Sequence, residues 1–363
     1  MSSSSRGAGV GPPAEEGVPP APRLSPTGAL GAAFSDTIQL LLNPFDARRW
    51  IQLGVICFFL GGGASSAAFH WSLGALPADV GFQEALLRMR EYIAARPWLI
   101  VLTIATGIAL SVTLIYLRSL SRFVLVDTIL KGEVLVRRTL PRVRPLAHSY
   151  FFWLLGALVA YGAALGLGVL AAFPFARAAA TAGSRSIAFS MILASLLLAE
   201  VFIGLLAATL IIVTDDLVVP VMYAERLPLL ATWRKVGSAM KAEAGIFTLY
   251  VLLRFVVSVV VGVAVLVLLF PALVALLSGV VIVGALIILG LQVVGVAWAW
   301  TPLAILLAAL AILLLMGLLL LLLSIAGMPG QVFLQSFGIC FIAPRTPALS
   351  TLWRTHQLAS REE

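Results

Sequence analysis

The chain has 363 residues, of which 61% are apolar and only 11% charged, and its mean hydropathy is +1.08. About a quarter of an ordinary soluble domain is charged, so this composition excludes a disordered chain, a coiled coil and a disulfide scaffold and argues against a soluble enzyme. Basic residues exceed acidic ones by eight and 21 of the 24 are Arg, which in a membrane chain implies basic loops at anionic lipid headgroups rather than bound nucleic acid.

In chain order, residues 1–33 are rich in Ser, Gly and Pro and lack a continuous apolar core, so they read as a disordered tail and not as a signal peptide. A transmembrane helical domain is expected over 34–343 and a cytoplasmic tail over 344–363. Crossing a bilayer takes about 20 apolar residues. Six runs qualify: Trp50–Phe69, Pro97–Tyr116, Tyr150–Phe173, Ile187–Val213, Phe247–Phe270 and Leu303–Ile325. The sequence therefore predicts an all-α polytopic bundle. Between the last two runs lies Pro271–Trp300, inside an uncharged stretch from Phe255 to Pro344. That segment reads either as a seventh span or as a pair of half-helices broken at Ser278 and Gly279. With six spans and the N-terminus inside, inner segments hold 18 Lys and Arg and outer ones 5. Seven spans give 15 against 8. The positive-inside bias prefers six, with both termini cytoplasmic.

Three segments repeat one spacing of apolar residues ahead of alternate spans. They are Phe34, Ile38, Leu41, Phe45; Val136, Leu140, Val143, Ala147; and Leu229, Trp233, Val236, Met240. Each makes one stripe on a helix. Arg137, Arg138, Arg142 and Arg144 flank the second stripe, and Arg234, Lys235 and Lys241 the third. This pattern predicts interfacial elbow helices whose stripes sink into the acyl boundary while their cations meet lipid phosphates, with Trp233 as an interfacial anchor.

No catalytic, cofactor or metal motif is present, and the cysteines Cys57 and Cys340 read as small apolar fillers. Glu200, near mid-span, and Arg254, about two turns into the fifth span, are ionisable groups at membrane depth. They read as a candidate intramembrane pair or as the lining of a solute path. Asp215 and Asp216 close the fourth span at its inner end.

Three segments carry a family resemblance. Asp215–Tyr250 combines Val219-Pro220, a turn over Glu225 to Pro228, Trp233-Arg234 and Gly245. Asn43–Gly54 and Pro329–Pro344 occupy the corresponding entry and exit positions. In this order they resemble uncharacterised bacterial polytopic membrane proteins near the glycerophosphodiester phosphodiesterase membrane-domain-like families. The resemblance implies a helical membrane domain and no activity, since the phosphodiesterase name belongs to proteins in which a similar membrane part precedes a soluble catalytic domain. The insert Pro271–Trp300 departs from that compact pattern. With the Arg-rich, Ala-, Gly-, Val- and Leu-rich composition, the expected setting is a bacterial inner membrane. The expected role is non-enzymatic organisation of the bilayer or of partner proteins. The partners expected are anionic lipids, another membrane protein or a second copy of the chain. The alternative is a transporter or permease for a small or lipid-like solute.

Overall fold

The computed structural model describes residues 24–43, 45–61, 96–134, 136–182, 187–293 and 302–362. Among these, every regular element is helical. The elements are α1 (Pro26–Leu42), α2 (Ala47–Phe59), α3 (Pro97–Lys131), α4 (Val136–Ala182), α5 (Ile187–Val213), a π-helical turn (Thr214–Val218), α6 (Val219–Glu225), α7 (Leu229–Ala242), α8 (Ala244–Val293), α9 (Pro302–Ile342), a 3-10 turn (Ala343–Arg345) and α10 (Pro347–Glu362).

Five helical segments are long and apolar enough to cross a membrane: Ile100–Lys131, Val136–Pro174, Ala194–Glu225, Ala244–Pro271 and Gly317–Arg345. The expected first span begins as α2, and its second half lies outside the described residues.

The long helices have two zones. In one, large apolar side chains face outward: Trp98 and Val101 on α3, Leu170 on α4, Leu198 and Phe202 on α5, Val260 and Leu268 on α8. Such a surface suits a lipid environment, and about 20 residues fill the hydrocarbon. In the other zone the same helices pack together. From Ser119 to Leu130, α3 is buried throughout and forms the axis of a protein core. Around it lie buried residues of α2, α4, α6, α7, α8 and α9, including Leu53, Tyr150, Met222, Val236, Tyr250 and Phe337.

α3 and α4 form an antiparallel hairpin through both zones. Lys131 ends α3, and Gly132 caps it at φ +74°, the left-handed conformation that glycine adopts without steric cost. The strands of contact run from Tyr116, whose ring lies 5.3 Å from His148 and 5.6 Å from Phe151, down to a hydrogen bond from Thr139 to Asp127. From Tyr116 to the tip at Lys131 is about 22 Å at 1.5 Å per residue.

Several expectations change here. Helix α1 starts at Pro26, with Ser25 Oγ accepting from the Gly28 amide at 3.2 Å, so residues 26–33 are helical rather than tail. The second elbow is no separate helix, because α4 continues unbroken through Pro141 and Pro145. Both prolines face outward, where the carbonyls they leave unbonded reach solvent. Residues 271–293 continue α8 without a break at Ser278 or Gly279, so they are not two half-helices; residues 294–301 lie outside the described set. Residues 347–362 form α10, which buries Leu349 and Trp353 against the bundle.

Candidate functional site

The centre of the packed zone is polar, and the local sequence explains why. Pro220 has no N–H to offer the Asp216 carbonyl four residues earlier, so an ordinary α-turn cannot close there. The chain widens instead: the Val219 N–H bonds the Thr214 carbonyl, five residues back. Thr214 Oγ1 donates to the Leu210 carbonyl at 2.6 Å, and Gln335 of α9 reaches the Asp215 carbonyl at 3.4 Å. The π-turn presents both Asp215 and Asp216 to the core, with Asp216 fully buried.

Three guanidinium groups meet them. Arg118 and Arg122, one turn apart on α3, supply two. Arg122 Nη2 lies 3.1 Å from Asp215 Oδ2 and 3.2 Å from Asp216 Oδ1, and Arg118 Nη2 lies 3.5 Å from Asp215 Oδ2. From α8, Arg254 Nε contacts Asp216 Oδ2 at 2.5 Å. Tyr150 of α4 donates to Asp215, and Tyr250 donates to Asp216 at 3.3 Å. Behind Tyr250 stand the rings of Phe337 and Phe341, centroids 4.9 and 4.4 Å away. Two carboxylates thus tie α3, α4 and α8 to one turn. Moving charges out of water is costly, and mutual pairing with added hydrogen bonds offsets that cost.

Smaller polar clusters fix the rim. Asp127 pairs with Lys131 and accepts from Thr139 and Tyr223, joining α3, α4 and α6. Arg345 pairs with Glu243 at 3.0 Å while lying 4.3 Å over the Phe341 ring. Asp36 of α1 accepts from Cys340 and from Trp353 Nε1, each at 3.4 Å.

The expected Glu200–Arg254 pair is not formed. Arg254 pairs with Asp216, and Glu200 lies exposed on α5. The two acids are separated by about 24 Å along one continuous helix, so an arginine bound to one cannot reach the other. The third elbow is also corrected. In α7, Leu229 and Val236 are 2% exposed and Trp233 is partly buried against the core, so these stripe residues pack on protein. Among the expected headgroup cations, Arg137, Arg138, Arg142, Arg144, Arg234 and Lys241 are exposed, whereas Lys235 pairs with Glu225 at 2.5 Å. The clue that a sequence reading passes over is the pairing of Arg118 with Arg122 and of Tyr250 with Arg254 at four-residue spacing, opposite an Asp-Asp followed by Pro. Among the described residues no group of three His, Cys, Asp or Glu is placed to hold a metal ion.

Val236→Asp is therefore expected to unfold the packed zone, not to release α7 from a membrane. A buried charge without a partner is among the costliest substitutions. Thermal melting in detergent checks this, and a spin label at Val236 should report an immobile protein interior.

Among the described residues the chain is all-helical, with five helices long and apolar enough to cross a membrane and with helix ends that fold into an ion-paired core. The chain belongs to DUF7544, a family of unknown function, which matches residues 24–352. Neither a curated protein nor a solved structure matches it.

Proposed function

We propose that this chain is a non-enzymatic membrane scaffold, built to hold a rigid cytoplasmic platform on membrane-spanning helices. The observation that carries the reading is the saturation of its central charges: Asp215 and Asp216 spend their oxygens on three arginines and two tyrosines of the same chain. Groups locked in this way specify one packing and offer no free acid or base for catalysis or proton relay. The excess of Lys and Arg in alternate loops supports an inside location for both termini, and the composition supports a bacterial inner membrane. The three segments that resemble the phosphodiesterase-like membrane domains support a helical membrane architecture and bring no phosphodiesterase activity.

A transporter is the second reading, favoured by one observation. Arg122 Nε, Gln335 Oε1 and Ser336 Oγ are buried beside or near the cluster without a partner, where a wet path would place water. Hydroxyl-radical footprinting of the protein in lipid nanodiscs separates the two. A scaffold should protect Tyr150 and Tyr250, both 0% exposed, as fully as Phe123. Oxidation of both tyrosines at the rate of an exposed ring would sink the scaffold reading and favour a solute path.

A further inference from the structure

We propose that the tip of the α3–α4 hairpin is a docking surface for an acidic, amphipathic segment of a partner protein. The tip is strongly basic. On the first turns of α4, Thr139, Val143, Leu146 and Ala147 face the core, which leaves Arg137, Arg138, Arg142 and Arg144 on the outward arc. None of these four has an ion-pair partner among the described residues. A fifth guanidinium is brought in from α6: Arg226 adopts φ +56°, lies 5.3 Å over the Tyr223 ring and donates to the Arg142 carbonyl at 2.9 Å. A non-glycine residue rarely takes that conformation, and here it fixes one cation beside others. The nearby acids do not balance the patch, since Asp127 is held by Lys131 and Glu225 by Lys235, leaving Glu133 exposed.

Distance argues against lipid of the same membrane as the occupant. The outward apolar zone of α3 ends near Tyr116, and the tip lies about 22 Å beyond it. Electrostatic attraction between exposed charges is screened within about 8 Å at physiological salt. With the bilayer boundary at the end of that apolar zone, Arg137 and Arg138 stand in water and not among the headgroups. The patch also carries apolar surface. Val136 and Leu140, one helical turn apart along one edge of the arginine arc, are 38% and 39% exposed. A nucleic-acid backbone offers nothing to cover that edge. A helix with carboxylates on one side and apolar residues at i and i+4 matches both features. The proposal gives the scaffold reading its partner and rests on it for meaning, but binding at the tip is measured independently of whether the core is dry.

The experiment uses the full chain in phosphatidylcholine nanodiscs and four probes at physiological salt. They are a labelled Glu/Leu amphipathic peptide, a polyglutamate peptide of equal charge, a DNA duplex and phosphatidylglycerol vesicles. The Glu/Leu peptide should bind at least about ten-fold more tightly than polyglutamate, the equivalent of about 1.4 kcal/mol. Arg137→Glu with Arg138→Glu should weaken it about ten-fold or more with an unchanged melting temperature, because both side chains are exposed. Val136→Ser with Leu140→Ser should remove the preference over polyglutamate while leaving weak charge-driven binding. Equal affinity for the two peptides, tighter binding of DNA, or capture of the vesicles would each overturn the proposal, while the footprinting result would stand unaffected.

Discussion

Replacing Asp216 with alanine is expected to destabilise the folded protein by about 3–5 kcal/mol, the range for removing one partner of a buried ion pair. The side chain is fully buried and receives Arg122, Arg254 and Tyr250. Its loss strands Arg254, itself 8% exposed, with Ser258 as its remaining side-chain partner. Asp216→Asn keeps the shape and an acceptor for Tyr250, so it should cost less than alanine. Asp216→Leu combined with Arg254→Leu removes both charges and should recover much of the loss, since apolar replacement of a whole buried pair is often mild. Arg122 then keeps Asp215 as its acceptor at 3.1 Å.

The measurement is a double-mutant cycle on thermal stability in detergent. Residues in one ion-pair network couple by about 0.5–3 kcal/mol, whereas distant ones add. Asp216 and Arg254 should couple strongly, and Glu200 and Arg254 should add. Additive losses for Asp216 and Arg254 would mean the pair does not form in solution. Coupling of Glu200 to Arg254 instead would return the ion pair to mid-membrane.

The contrast between Glu200 and Asp216 illustrates what the sequence makes legible. Apolar run length located some of the long helices: α5 spans Ile187–Val213, the expected fourth run, and the fifth run begins three residues after α8 does, whereas the last candidate span is Gly317–Arg345 and not the expected Leu303–Ile325. Run length does not say which residues leave the lipid for protein. Arg118 and Arg122 look like loop cations because they follow an apolar run, yet they lie on the buried continuation of α3. Their helical spacing was visible, but the partner at Asp215 depends on a π-turn that no periodicity announces.

The stripes carry the same lesson. A spacing of 0, 4, 7, 11 fixes one apolar face and leaves open what that face meets. In α7 it meets the core. In α1 the stripe splits: Phe34 and Ile38 are 61% and 41% exposed, while Leu41 joins Ala29, Ala33 and Leu40 on the packing face. Alanine is a weak apolar signal, and its small size is what lets α1 approach α9 closely, where Phe34 meets the edge of Phe333 at 6.3 Å.

Close approach also governs the second large effect, at Gly338. A Cβ built there would stand 2.5 Å from the Asp216 carbonyl oxygen, 2.8 Å from the Asp216 Cβ and 3.1 Å from its carbonyl carbon. Two of these are backbone atoms of the π-turn, which cannot rotate away as a side chain does. Gly338→Ala should therefore push α9 off the turn and pull Asp216 from its arginines, costing about 3 kcal/mol, the upper end for overpacking. Two other glycines provide the scale. At Gly54 the near atom is Ile325 Cγ1 at 2.6 Å, a side-chain atom that can shift, so Gly54→Ala should cost less. At Gly317 nothing lies within 4 Å, and alanine should be neutral or stabilising by up to about 1 kcal/mol, because glycine is a poor helix former. Melting temperatures in one detergent should rank Gly317→Ala highest, then Gly54→Ala, then Gly338→Ala. The signature of the mechanism is a further test: in a Gly338→Ala background, Asp216→Ala should cost far less than in the native protein, because the contact it removes is already displaced. A full additional loss would mean that α9 does not rest on the Asp216 backbone.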